Sequence, residues 1–164
     1  MNTSSDLDAL VQSLAQALLS QRLLLVTAES CTGGGVARAC TDLAGSSDWI
    51  AGGFVTYSNQ AKSSMIGVPS ELIAQHGAVS EPVARAMAEG ALSHSEGTIS
   101  VAITGVAGPG GGSPEKPVGT VWFAWSLQGG ATVSRCALFS GDRASVRAQA
   151  VAHAIQGLIQ TALP

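Results

Sequence analysis

The stretch Thr27 to Gly35, TAESCTGGG, sets a carboxylate, a hydroxyl and a thiol in succession at Glu29, Ser30 and Cys31, followed by Thr32 and three glycines. A short aliphatic run, Leu23 to Val26, ends just before it. That pattern describes a buried strand handing over to a helix, and in open α/β sheets this corner is where ligands bind. A hydroxyl held there can attack a carbonyl while peptide N–H groups of Cys31, Thr32, Gly33 and Gly34 receive the developing oxyanion. A serine that merely caps the helix is the bland alternative. The density of polar groups beside the glycines exceeds what a cap needs.

A serine nucleophile requires a base. His76 follows a short helix, His94 ends another and His153 lies on the terminal helix, so none is placed by sequence to serve, and none has zinc-ligand spacing. Lys62 follows a strand, closed by Tyr57, whose carboxyl end should lie near the Ser30 corner. Burial can bring a lysine from about 10.4 toward neutrality and make it a base; a solvated helix lysine is the competing reading. Cys31 is a rival nucleophile if the helix start lowers its thiol pKa. Arg143, beside Asp142 at the start of the last helix, is either the neighbour of a cap or the receptor of an anionic group.

The segment Gly105 to Gly119 is rich in glycine and follows a buried strand, which suggests a lid or ligand clamp. Its Ser113-Pro114-Glu115-Lys116 matches an S-x-x-K pattern, but Pro114 and Pro117 argue against the helix that pattern needs. It lacks the G-K-[ST] of a nucleotide P-loop.

The elements that must position these residues follow from periodicity. Helices are predicted over Ser5–Ser20, Cys31–Thr41, Ser58–Ile66, Ser70–Gln75, from Ser80 with Pro82 in the first turn, and Asp142–Thr161. Strands are predicted over Leu23–Thr27, Ile50–Tyr57, Thr98–Thr104, Val118–Leu127 and Ala131–Leu138, the last two forming a hairpin. The fold class is α/β: a mixed sheet with helices on both faces, a three-layer α/β/α sandwich, as one domain over residues 1–164.

Composition narrows the function. The 164 residues are 46% hydrophobic and only 12% charged, so helices must pack on broad faces, and a homo-oligomer is expected to cover part of the surface. A net charge of −3 with eight scattered Lys and Arg excludes a basic nucleic-acid footprint. Cys31, Cys40 and Cys136 form neither a disulfide framework nor a metal pattern. The acidic start and the lack of an apolar run near 18 residues give no sign of export or membrane anchoring, so a cytoplasmic location is expected.

Five segments together carry a resemblance. TAESCTGG (27–34), GFVTYSNQAK (53–62), HGAVSEPV (76–83), ITGVAGPGGGSPEKPVGTVWFA (103–124) and FSGDR (139–143) closely resemble the carboxy-terminal domain family of CinA, in order and over nearly the whole chain. That family includes stand-alone nicotinamide-nucleotide amidases. The resemblance implies hydrolysis of nicotinamide mononucleotide to nicotinic acid mononucleotide and ammonia, in pyridine-nucleotide salvage, with no metal or cofactor. It places the family's serine on Ser30 as nucleophile, its lysine on Lys62 as general base and its tyrosine on Tyr57 as hydrogen-bonding partner. Substrate contacts are expected from Glu29, Asn59, Thr104, Gly105, Gly108 and Arg143. The molybdopterin-binding-like domain of full-length CinA has no counterpart in these segments. Two rival readings are a non-catalytic nucleotide-binding domain on the same glycine corner and an amidase for another small amide.

Overall fold

The computed structural model describes residues 3–164; Met1 and Asn2 of the acidic start lie outside the described residues. In chain order the elements are α1 (Thr3–Gln21), β1 (Leu25–Glu29), α2 (Gly35–Thr41), β2 (Ile50–Val55), α3 (Asn59–Ile66), α4 (Ser70–His76), α5 (Glu81–Ser93), β3 (Ile99–Gly105), β4 (Thr120–Leu127), β5 (Thr132–Leu138) and α6 (Arg143–Ala162). The strands form one sheet in the order β2-β1-β3-β4-β5. β1 is parallel to both β2 and β3, while β3–β4 and β4–β5 are antiparallel.

Alternation along the strands divides the core in two. Leu25, Ile99, Val101, Ile103, Val121, Phe123 and Trp125 face α1, α2 and α6, whereas Val26, Ala28, Ala102 and Ala124 face α3, α4 and α5. The result is the three-layer α/β/α arrangement read from periodicity. No helix among the described residues is long and apolar enough to cross a membrane.

Several boundaries differ from the sequence reading: β2 ends at Val55, before Tyr57, β4 begins at Thr120 rather than Val118, and the shifts of β1 and α2 bear most on the site. β1 starts at Leu25 because Leu23 is spent on closing α1, its N–H donating to Leu18 O at 2.9 Å while Arg22 turns left-handed at φ 55°. The strand then continues to Glu29, held in register between Val55 of β2 and Ile103 of β3. α2 starts at Gly35 rather than Cys31, since Gly33 and Gly34 take positive φ of 57° and 97°, a conformation that interrupts a helix and that suits glycine. Residues 31–34 are therefore a turn between strand and helix.

The path of the chain creates the crevice. It leaves β1 toward β2 by way of α2 on one face and returns to β3, on β1's other side, by way of α3 to α5 on the opposite face. The carboxyl ends of β1 and β3 thus flank a topological switch point.

Candidate active site

Ser30 follows the last residue of β1 and is fixed by its N–H, which donates to Ile103 O of β3 at 2.9 Å. Lys62 enters from α3. Ser58 starts that helix by accepting from Ala61 N at 3.0 Å, and left-handed Gly67 ends it. Gly90 of α5 packs so closely on the Ile66 carbonyl that a Cβ there would collide, which seats α3 against α5 within the same layer.

The two segments meet as their spacing suggested. Lys62 Nζ donates to Ser30 Oγ at 3.0 Å, to Thr56 O at 3.0 Å and to Tyr57 O at 3.1 Å, and Ser30 Oγ donates to Tyr57 O at 3.3 Å. Lys62 is 1% exposed and Ser30 8%. Burial lowers the Lys62 pKa from its ordinary value, the nearby Cys31 opposing in part. In a neutral amine, two N–H bonds can remain on the Thr56 and Tyr57 carbonyls, which leaves the lone pair for the Ser30 hydroxyl. That is the orientation a general base needs.

Glu29 occupies a different place from the one expected. Its fully buried carboxylate accepts from Thr32 Oγ1 at 2.7 Å and Val36 N at 2.9 Å on one oxygen, and from Ala37 N at 3.1 Å on the other. The anion at the amino terminus of α2 is the chain's own glutamate, so Glu29 does not line the cleft. The four residues expected to offer oxyanion donors are placed differently. Gly33 N donates to Ser30 O, and Thr32, Gly33 and Gly34 do not line the cleft; Cys31 does. Among the described residues the Cys31 N–H makes no main-chain hydrogen bond, and it is adjacent to Ser30.

The cleft itself is about 320 Å³, within the range of small-molecule sites, and is bordered by Ser30, Lys62, Tyr57, Asn59, Thr104, Gly105, Gly108 and Arg143. The Thr104 hydroxyl is committed to Ala78 O at 2.9 Å, tying β3 to the loop before α5; Ala78 and Val79 complete that wall. Arg143 donates to Gly108 O at 2.8 Å and to the Tyr57 hydroxyl at 3.3 Å, bridging the glycine-rich loop and the end of β2. The Tyr57 side chain is 59% exposed, so it is the Tyr57 carbonyl, not the hydroxyl, that bonds the Ser30–Lys62 pair.

The thiol route loses its premise here. Burial pushes the Cys31 thiol up to about 11, against an expected lowering at a helix start, because the helix begins four residues later and its end is already filled by Glu29. His153 packs against Phe123, Trp125 and Phe139. Ser113 and Lys116 close a turn, Ser113 N donating to Lys116 O at 3.0 Å, and the ammonium reaches His76 O at 3.0 Å.

Sequence reading did not single out Arg147. It donates from Nε to Cys31 O at 3.1 Å and from Nη2 to Thr32 O at 3.4 Å, fixing the turn after Ser30 from α6. Its spacing of four from Arg143, which puts both on one helix face, was the available signal.

A buried serine–lysine pair at the switch point of an α/β/α sheet, open to a small cleft, defines a candidate acyl-transfer site. Residues 7–162 match the family model described as CinA C-terminal domain, and the chain belongs to that family. It is 56% identical over 158 residues to the nicotinamide-nucleotide amidohydrolase PncC of Escherichia coli K12, covering 96% of each chain. It is 51% identical to a CinA-like protein of Akkermansia muciniphila over 87% of this chain and 34% of that longer protein. Among solved structures, the competence/damage inducible protein CihA of Agrobacterium tumefaciens superposes with a TM-score of 0.92 at 42% identity, covering 94% of both chains.

Proposed function

We propose that the protein hydrolyses the carboxamide of nicotinamide mononucleotide, giving nicotinic acid mononucleotide and ammonia in pyridine-nucleotide salvage. The observation that carries the chemistry is the 3.0 Å contact between Lys62 Nζ and Ser30 Oγ inside the cleft; the substrate is that of the nicotinamide-nucleotide amidohydrolase of E. coli, which this chain resembles at 56% identity.

Ser30 Oγ attacks the carboxamide carbon as its proton passes to the neutral Lys62 amine. The carbonyl π electrons move to oxygen, and the Cys31 N–H, beside Ser30 at the border of the cleft, donates to that oxyanion. Collapse expels the nitrogen, which takes the proton from the Lys62 ammonium and leaves as ammonia. Water, deprotonated by the same amine, then cleaves the acyl-serine and releases the acid. The positive pyridinium ring withdraws electron density and makes the carbonyl more electrophilic. Arg143 and the loop bearing Gly108 receive the phosphate, with Asn59, Thr104 and Gly105 bordering the ligand.

Residues 1–164 act as one unit, in the reducing cytosol, with neither nucleic acid nor membrane as partner. Exposed Val55 and Met65 near one sheet edge and Val133 and Leu138 on the other support a homo-oligomer.

Ammonia release measured with nicotinamide mononucleotide, free nicotinamide and the dinucleotide tests this reading. Selective turnover of the mononucleotide is expected. Turnover of a different amide in its place would replace the substrate, and no turnover of any would favour a binding role.

A further inference from the structure

A pyridinium nucleotide brings a cation as well as an anion, and the cleft treats them unequally. Among the described residues that border it, Arg143 is the standing cation, Lys62 serves as the neutral amine, and none is a carboxylate. Glu29, the acidic side chain nearest in sequence to the nucleophile, is buried beneath and fully engaged by Thr32, Val36 and Ala37. No ion pair is therefore available to the ring's charge. The cleft has one aromatic side chain on its border, Tyr57.

The position of that side chain is specific. At its backbone end the Tyr57 carbonyl touches both Ser30 Oγ, at 3.3 Å, and Lys62 Nζ, at 3.1 Å. At its far end the hydroxyl accepts from Arg143 Nη2 at 3.3 Å. The phenol ring consequently spans from the nucleophile to the guanidinium. A substrate with its carboxamide at Ser30 and its phosphate toward Arg143 must lay its pyridinium along that span. The ring is more than half exposed, so its face is not consumed by core packing.

We propose that the Tyr57 ring is the specificity element for the cationic heterocycle, recognising it by π-face contact, with the Arg143 hydrogen bond holding the ring edge in place. An aromatic face attracts a cation without a formal counter-charge, and no carboxylate sits in the cleft to repel the acid product. The inference rests on the nucleotide amidase reading and adds how the ring is selected.

The test uses the Ser30→Ala protein, which cannot turn over, and calorimetry with nicotinamide mononucleotide and with its reduced form, whose ring is uncharged. The Ser30→Ala protein should bind the oxidised form more tightly by about tenfold. Adding Tyr57→Leu should abolish that preference, and Tyr57→Phe in its place should restore most of it. A preference that survives Tyr57→Leu, that is absent from the start or that Tyr57→Phe fails to restore would overturn the proposal. Ammonia release by the unsubstituted enzyme is measured in parallel, so failure of the nucleotide amidase reading is seen separately.

Discussion

Lys62 Nζ stands 3.0 Å from Ser30 Oγ, and the same nitrogen is held by two main-chain carbonyls, Thr56 and Tyr57, at 3.0 and 3.1 Å. Those carbonyls fix the amine's direction independently of any ligand. A flexible side chain is thereby held in one direction, as the proposed base requires, and its burial lowers the cost of keeping it neutral.

A pH dependence follows with a definite sign. The active form is the neutral amine, so kcat/KM should rise with pH through a single ionisation lying below the ordinary lysine value. Stability moves in the same direction. A lysine whose folded pKa is lowered binds fewer protons when folded, so the stability linked to it is present above the unfolded value near 10.5 and declines as pH falls through the folded value. Rate profiles and denaturant midpoints across the alkaline range check both. A rate that falls as pH rises through this ionisation would remove the amine as base.

Cys31 borders the cleft next to Ser30, yet its thiol, pushed up to about 11, is neutral at working pH. Cys31→Ala should keep turnover within roughly threefold, a change worth less than about 1 kcal/mol in the barrier. The purified variant's kcat/KM decides it; a loss of orders of magnitude would revive the thiol route.

Glu29 offers a stability prediction. It satisfies a threonine hydroxyl and two helix amides with a charge fully removed from water. Glu29→Ala leaves those donors unpaired and should cost on the order of 3 kcal/mol, read as a lower denaturant midpoint at similar m-value. Loss of turnover should accompany it, because the turn carrying Cys31 is anchored to the same carboxylate through Thr32.

Gly90 links packing to the site. Helix propensity alone predicts that Gly90→Ala stabilises by roughly 1 kcal/mol. The Ile66 carbonyl occupies the space a Cβ would need, so the opposite sign is expected, a loss of about 1–3 kcal/mol. α3 must shift to accommodate the methyl, and kcat should fall as Lys62 moves with it. Thermal midpoint and kcat measured together test the coupling.

The α/β/α layering was legible because alternation and helical spacing are written locally in residues such as Leu25, Val101 and Val146. The meeting of Ser30 and Lys62 was legible for a topological reason: both follow parallel strands, and parallel strands end on the same side of a sheet. The role of Glu29 was hidden, since its partners Val36 and Ala37 are reached only because Gly33 and Gly34 fold the turn back. Arg147 was hidden more deeply. Its contact with Cys31 spans 116 residues and depends on where α6 crosses the sheet; the spacing of four from Arg143 reports the shared helix face but not that partner.

The most direct test of the central claim compares Ser30→Ala and Lys62→Met in an ammonia-release assay with nicotinamide mononucleotide, each variant first shown to be folded by its thermal midpoint. Methionine nearly matches lysine in length without the charge, so the fold should persist or gain stability. Turnover should fall in both by a factor on the order of a thousand. A folded Lys62→Met protein that releases ammonia at near the unsubstituted rate would contradict the account.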